Sequence, residues 1–248
     1  LNYNGMEVLH RQQGPIFNGY RAINNDPRNW TDTQTLLRDF SWTQSADRKS
    51  VKVTVSLDAL TGKTTVAHTL VYTVYGNGAL DVEADFQTDA DFNLPRLALQ
   101  ASLNPELDAV TWFGRGPIEN YQDRKNAAYV GLYTSTVEGM REHYTRAQTM
   151  GGRCDARWLT LTGANGKGIK ITAVGTIDFS ALHYTDRELW QVKYNHDLAH
   201  IRRAEVVLNL DCRQRGLGNA SCGPGPRPQY EIRKDTAYRY AFRLEPVD

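Results

Sequence analysis

The sequence has little cysteine and no closely spaced cysteine pair. Cys154, Cys212 and Cys222 are its three cysteines, so at least one of them has no partner within the chain. The absence of a CxxC pair argues against a zinc knuckle and against a thioredoxin-like motif. A low cysteine density fits the cytoplasm and is also compatible with the periplasm, so the sequence leaves the compartment open.

An excess of charge and a long hydrophobic run are also missing. Lys and Arg together number 29 against 28 for Asp and Glu, which gives a formal net charge of +1, and there is no dense basic run. Nucleic acid and anionic membrane are therefore poor candidates as partners. No apolar stretch is long enough to span a bilayer, and the first residues do not form a signal peptide.

Length and the first residue bear on domain organisation. At 248 residues the chain can bury a sizeable core, and we predict that residues 1–248 form a single domain. The sequence starts at Leu1 rather than at Met. We therefore expect it to be a fragment of a longer polypeptide.

Most of the chain alternates apolar and polar residues with a period of two, as in strands that bury one face. The two runs around Gly76-Asn77-Gly78 predict a hairpin, and Asn165-Gly166 predicts a second turn. Strands are predicted over residues 51–55, 64–75, 79–86, 95–103, 109–113, 159–162, 169–174, 177–182, 205–210 and 230–244.

Two short helices are predicted among these strands. Residues 31–39 have Thr31 or Asp32 as a candidate N-cap and an apolar side formed by two leucines. The Thr185 to Glu188 capping box opens a helix that is expected to run to about His200. Many short strands, few helices and no alternation of strand and helix favour an antiparallel all-β sandwich.

The second helix carries a spacing known from metal sites. His196 and His200 stand four residues apart, a spacing that can hold zinc. Asp197 follows the first histidine, where the metalloprotease motif has glutamate. A bare histidine pair is a weak signal, so we predict no metal site on this chain.

The most informative stretch is residues 112–125, WFGRGPIENYQDRK. An apolar strand ends at Gly114, Gly116 and Pro117, and residues 119–125 that follow all have hydrogen-bonding side chains. Polar loops held by a rigid element often carry binding chemistry, although a solvated turn is the plainer interpretation. The block resembles the signature of the C-terminal domain of large β-galactosidases of glycoside hydrolase family 2.

Three further blocks resemble the same family. They are residues 15–26, residues 151–158 and the glycine-punctuated loop at 216–224. The sequence departs from the family pattern at Asn24, where Asp is usual, at Met150, where Asn is usual, and at Cys222, where the best-known members have a sugar-stacking Trp. With a small thiol at that position, an aromatic such as Tyr121 or Tyr230 is the candidate for stacking on the sugar.

The resemblance implies a fold, a function and partners. The fold is the large twisted antiparallel β-sandwich of the galactose mutarotase-like (supersandwich) type, and the parent is a retaining β-galactosidase. Its catalytic glutamates lie in a central (β/α)8 barrel, so this chain has no catalytic residue of its own and the isolated domain is expected to be inactive. Any Mg or Na ion is expected in the parent's catalytic domain, and no cofactor on this chain. Expected partners are that barrel, a galactoside substrate and, as an open possibility, further copies of the parent.

The same resemblance implies which residues form the substrate-binding site. They lie in the signature block and in the loop that reaches toward the barrel, and they are Glu119, Asn120, Tyr121, Asp123, Arg124, Asn219, Ser221 and Cys222.

Two alternative functions stay open at this point. An aldose 1-epimerase shares the mutarotase fold and needs a glutamate base and a histidine acid, for which Glu119, His143 and His183 are candidates. A free-standing carbohydrate-binding module is the other alternative. The chain has 13 tyrosines and 5 tryptophans, but most such aromatics are core residues, so their number does not discriminate.

Overall fold

The structure is a computed structural model that describes residues 1–23, 33–61, 64–90, 94–219, 223–234 and 236–248. Antiparallel strands dominate these residues. In chain order they are β1 (Asn2–Tyr3), β2 (Met6–Glu7), β3 (Ile16–Asn18), β4 (Gln34–Gln44), β5 (Ser50–Thr61), β6 (Thr64–Tyr75), β7 (Leu80–Thr88), β8 (Arg96–Leu103), β9 (Ala109–Gly116), β10 (Tyr129–Thr136), β11 (Arg153–Thr162), β12 (Gly168–Leu182), β13 (Val206–Gln214) and β14 (Tyr238–Val247).

Helical structure is short in this part of the chain. The α-helix α1 comprises Asp186–Gln191. The remaining helices are 3₁₀ segments over His10–Gln12, Glu138–Met140, Asn195–Ile201 and Pro228–Tyr230. Among the described residues, none of the helices combines the length and the apolarity needed to cross a lipid bilayer.

The strands form two layers that share one strand. The larger layer has the order β10-β9-β11-β12-β14-β7-β6-β5-β4. Residues 168–173 of β12 pair with β14 in this layer, whereas residues 178–182 pair with β13. Between the two halves Gly175 has a φ of +86°, a conformation that favours glycine. The smaller layer continues from β13 to β8 and then to β3.

The core lies between these layers. Phe17 on β3 packs against Phe86 on β7 with ring centroids 5.9 Å apart, and the Tyr240 hydroxyl donates to the Leu210 carbonyl of β13 at 3.1 Å. Trp112 on β9 contacts Phe179 on β12 edge to face at 6.0 Å. The predicted antiparallel all-β fold with one or two short helices is confirmed.

One predicted helix is wrong. Residues 34–39 belong to β4, which pairs along its length with β5, and the candidate N-caps Thr31 and Asp32 lie outside the described residues. The two leucines that suggested a helix side are followed by Phe40, Trp42 and Thr43, residue types that favour strands. Cross-strand pairing therefore decides the conformation here rather than local periodicity.

The second predicted helix is correct at its start and wrong in its length. Thr185 and Glu188 form the capping box, with the Glu188 amide donating to the Thr185 hydroxyl at 3.3 Å. The α-helix ends at Gln191, and a separate 3₁₀ helix begins at Asn195. Asn195 is held by tertiary bonds, because its amide donates to the Thr145 carbonyl at 3.2 Å and its side chain to the Glu142 carbonyl at 3.1 Å.

Candidate functional site

The signature block forms a loop between two neighbouring strands. β9 is an internal strand that ends at Gly116, and β10 starts at Tyr129 and pairs back onto it. Inside the loop a tight turn brings the Arg124 amide to the Tyr121 carbonyl at 2.7 Å. Buried Trp112 supports the base of the loop, since its indole donates to the Arg115 carbonyl at 3.0 Å. The predicted rigid strand followed by a polar loop is thus present.

Asp123 joins this loop to the second glycine-rich segment. Its carboxylate accepts from the Leu217 amide at 3.0 Å and from the Gly218 amide at 2.7 Å. A carboxylate that accepts two backbone N–H bonds is a strong and directional anchor. Asp123 therefore fixes the start of the loop that the sequence implicated in ligand contact.

Arg124 binds the hydrogen-bond acceptors of the same segment. The guanidinium donates to the Gly218 carbonyl and, at 3.1 Å, to the Asn219 side-chain oxygen. Asp123 and Arg124 together therefore bind both the donors and the acceptors of residues 217–219. Of the predicted site residues, the structure brings Asp123, Arg124 and Asn219 together, while Ser221 and Cys222 lie outside the described residues.

This close approach depends on glycine. A Cβ atom on Gly216 would lie 2.8 Å from the Asp123 carboxyl carbon. Gly218 has a φ of +58°, and a Cβ atom there would lie 2.4 Å from the Pro226 nitrogen. Both positions exclude larger residues because the backbone of one segment lies directly against its neighbour.

An open cavity lies beside the anchored segment. It has a volume of about 530 Å³, and its walls include Asp123, Arg124, Asn219, Arg227 and Tyr230. The cavity thus combines a carboxylate, guanidinium groups, an amide and a phenol ring. These groups can donate hydrogen bonds to sugar hydroxyls and accept hydrogen bonds from them. Tyr230 is partly exposed and is the aromatic residue among those that line this cavity.

The first polar residues of the signature loop, Glu119 and Asn120, bind neighbouring segments of the chain rather than facing the cavity. The Glu119 carboxylate accepts from the Tyr144 hydroxyl and from the Gly151 amide, each at 2.7 Å, and burial raises the pKa of Glu119. Asn120 is buried and accepts from the Cys154 amide at 2.9 Å. These bonds attach the signature loop to the block at residues 151–158.

Tyr121 is buried as well, at 4% exposure. Its ring is therefore unavailable for stacking on a ligand at the surface, which leaves Tyr230 as the candidate aromatic. The predicted substrate contacts of Glu119, Asn120 and Tyr121 stay predictions, and the structure gives these residues a role in fixing the loop.

A cluster of charged side chains lies next to the tight turn at residues 121–124. Asp155 accepts from Arg115 at 2.6 Å and from Lys125 at 2.9 Å. Burial tends to raise the pKa of Asp155, but the hydrogen bonds from Arg115 and Lys125 outweigh it and the pKa is lowered. Gln122 donates to buried Asp178 at 2.9 Å, and burial raises the pKa of this second carboxyl group.

Arg96, Asp186 and Asp211 form a buried ionic group that the sequence did not predict. Arg96 is fully buried and is paired with Asp186 at 2.7 Å and with Asp211 at 2.6 Å. Asp186 also accepts from the Thr149 hydroxyl at 2.5 Å. Because β8, α1 and β13 each supply one member, the group joins three elements beneath the loops. In the sequence, Arg96 and Asp211 are charged positions within largely apolar strands, and this is the signal that could have indicated the group.

The residues considered for an epimerase have separate partners. His183 is buried, and its Nδ1 lies 3.1 Å from the Glu205 carbonyl oxygen while its Nε2 lies 3.6 Å from Asp108. Glu119 is bound to Tyr144 and Gly151 as described, and His143 lines a different cavity. The hydrogen bonds of the described residues therefore do not join the Glu119 carboxylate to His143 or to His183.

Among the described residues, neither metal ligands nor thiols form a second candidate site. The described residues contain no group of three or more His, Cys, Asp or Glu side chains that could hold a metal ion. His196 is highly exposed and stacks on Tyr194, with ring centroids 5.4 Å apart. Cys154 and Cys212 are free thiols, and burial raises the pKa of both, to about 12 for Cys212.

Comparison with known proteins identifies the family. The family model described as "Beta galactosidase small chain" matches residues 1–244. The chain belongs to the β-galactosidase small-chain family. The resemblance noted in the four sequence blocks is confirmed over almost the whole chain.

Curated relatives of this small chain are much longer than it is. A β-galactosidase from Priestia megaterium is 28% identical over 99% of this chain, which corresponds to 24% of the relative. A β-galactosidase from Vibrio cholerae is 33% identical over 70% of this chain, which corresponds to 16% of that relative. The small chain therefore spans about a quarter or less of the relatives it matches.

Solved structures with a similar arrangement include an epimerase. The galactose 1-epimerase from Lactobacillus acidophilus has a TM-score of 0.44 and 7% sequence identity, and the match covers 84% of this small chain and 67% of that chain.

Proposed function

We propose that the chain is the C-terminal domain of a β-galactosidase that hydrolyses terminal β-galactosides. In this proposal residues 216–226 cover one side of the galactose pocket, and the domain packs on a catalytic barrel elsewhere in the same polypeptide. The domain supplies no catalytic glutamate. Any magnesium or sodium ion binds in the rest of the polypeptide.

The observation that supports this proposal is the anchoring of residues 217–219 by Asp123 and Arg124 beside an open polar cavity. A wall for a sugar pocket must hold its polar groups in fixed positions, since binding energy is lost when a loop has to be ordered by the ligand. Membership of the β-galactosidase small-chain family supplies the substrate class.

The proposal predicts that Asp123→Asn in the full-length polypeptide raises KM for a nitrophenyl β-galactoside more than it lowers kcat. The neutral amide loses the charge-assisted bonds to Leu217 and Gly218, so the start of the segment that carries Asn219 is held less firmly. We expect a rise in KM of about tenfold or more, since a hydrogen bond to a charged group contributes roughly 1.5–3 kcal/mol and about 1.4 kcal/mol is a factor of ten.

The matched control is Asp85→Asn. Asp85 is paired with Arg239 across β7 and β14, away from the anchored segment, and we expect wild-type kinetics from this variant. An Asp123→Asn enzyme whose KM equals that of the control would refute the proposed role of the loop.

A further inference from the structure

The outer edge of the larger layer carries an apolar face that the smaller layer does not cover. On the side of the core, β4 presents Leu37, Phe40 and Trp42, which are 63%, 56% and 63% exposed. Their cross-strand partners include Val55 opposite Phe40 and Val53 opposite Trp42. We call the residues Leu37, Phe40, Trp42, Val53 and Val55 the apolar overhang.

The register shows that the overhang continues the core. Val55 pairs with Leu70 on β6, and Leu70 pairs with Ala84 on β7, where both residues are buried. Residues that pair directly across an antiparallel sheet lie on the same face. The same sheet face therefore changes from buried on β6 and β7 to exposed on β4.

The smaller layer ends before it reaches β4. Phe17 on its last strand, β3, packs against His68 on β6 at 5.3 Å and against Phe86 on β7 at 5.9 Å. These contacts place the smaller layer over β6 and β7. The exposure of Leu37, Phe40 and Trp42 shows that the smaller layer does not extend to β4.

A β-bulge aligns the three exposed side chains. The register shifts between Leu37, which pairs with Leu57, and Asp39, which pairs with Ser56. Without the extra residue Arg38, Leu37 would face the opposite side from Phe40 and Trp42, because side chains alternate along a strand. Arg38 instead pairs with Asp58 on the polar face. The bulge thus concentrates apolar side chains on one face and leaves charge on the other.

We propose that the apolar overhang is the surface on which the rest of the parent polypeptide docks against this domain. This inference rests on the proposed function, which makes the chain one domain of a longer enzyme. The longer relatives have about three quarters of their length outside this match, so a covalently linked partner is available at high effective concentration. The inward-facing positions of β4 and β5 carry no charged side chain, so the docking surface of the partner is apolar too.

An uncovered face of this kind is otherwise unfavourable. A long edge strand with exposed apolar side chains and free backbone groups promotes association unless another element covers it. The alternative occupant is a second copy of the chain, and the test below distinguishes it.

The test uses the full-length polypeptide with the photoreactive residue p-benzoylphenylalanine in place of Phe40. We expect irradiation to give an intramolecular crosslink that mass spectrometry maps to a residue outside residues 1–248. The matched control carries the same replacement at Thr43, which lies opposite Lys52 on the polar face of the same strand, and should not crosslink there. A crosslinked dimer would overturn the inference in favour of a second copy, and a product with solvent alone would overturn it as well.

A second variant guards against a local effect of the probe. The double substitution Phe40→Ser and Trp42→Ser should lower the thermal midpoint of the full-length polypeptide, whereas Ser41→Ala with Thr43→Ala should leave it unchanged. Equal midpoints would contradict docking through the overhang.

Hydrolysis of a nitrophenyl β-galactoside is measured on the unmodified polypeptide in parallel. An inactive enzyme that still crosslinks would refute the proposed function while leaving the docking surface supported.

Discussion

At the scale of single residues, the strongest electrostatic feature is the buried group of Arg96, Asp186 and Asp211. One guanidinium faces two carboxylates, and leaving any of them unpaired in the interior would be costly. Burial raises the pKa of Asp211 to about 7, although the charge of Arg96 opposes the rise. The stability of the fold should therefore depend on the protonation of this carboxyl group.

The sign of that dependence follows from the direction of the shift. A folded-state pKa above the unfolded value of roughly 3.9 means that the folded protein binds more protons than the unfolded chain between the two values. The contribution of Asp211 to the free energy of unfolding is therefore largest at low pH and falls as the pH rises through about 7. The other raised carboxyl groups, Glu119 and Asp178, act in the same direction.

We predict that Asp211→Asn removes this dependence. In urea unfolding of the domain, the stability of the variant relative to wild type should rise as the pH goes from about 5 to about 8, by at most about 1.4 kcal/mol per pH unit. The control is Glu106→Gln, which removes an exposed carboxylate, and its pH profile should run parallel to wild type. A parallel profile for Asp211→Asn would contradict the raised pKa.

Sequence reasoning found some of these residues and missed others for a physical reason. Asp123, Arg124 and Asn219 were predicted as site residues because the two loops that carry them resemble blocks of the β-galactosidase family. Their contact joins residues 94 positions apart or more, which local patterns cannot specify. The pairs of Arg96 with Asp186 and Asp211 are 90 and 115 positions apart, and no local motif marks them.

At the scale of elements, the loop over residues 216–219 is held by backbone fit as well as by Asp123. We predict that Gly218→Ala in the full-length polypeptide raises KM for a nitrophenyl β-galactoside, because a Cβ atom 2.4 Å from the Pro226 nitrogen would displace the segment. Gly166→Ala is the matched control. Gly166 also has a positive φ, at +79°, but no atom lies within 4 Å of its Cβ position.

Both variants carry the strain of a left-handed residue, about 1–2 kcal/mol, so both should lose some stability. Only Gly218→Ala should change the kinetics. If the two variants had the same KM, the precise position of this loop would not matter for the substrate.

Strands were predicted better than helices at this scale. The hairpin around residues 76–78 appears between β6 and β7 as its glycines and alternating flanks indicate. The predicted helix at 31–39 failed because β4 is defined by its ladder with β5, a contact that periodicity does not contain. The predicted strand at 230–244 starts only at Tyr238, and Tyr230 instead ends the 3₁₀ turn Pro228–Tyr230 and lines the cavity.

At the scale of the whole molecule, two layers share β12, and the two loops of the candidate site meet at one place. The signature loop follows β9, the second loop follows β13, and the block at 151–158 runs into β11, which pairs with β9. The antiparallel class followed from composition and alternation. The sharing of β12 between two layers could not be predicted from composition and alternation, because it depends on the bend near Gly175.

In the proposed function, this domain forms a wall of the galactoside site while the chemistry is carried out elsewhere in the polypeptide. The most direct measurement treats the full-length polypeptide with a 2-deoxy-2-fluoro-galactoside, which traps the glycosyl-enzyme intermediate of a retaining glycosidase. Mass spectrometry then locates the labelled residue. We predict a labelled glutamate outside residues 1–248, and a label on any residue of this chain, or no label at all, would contradict this division of roles.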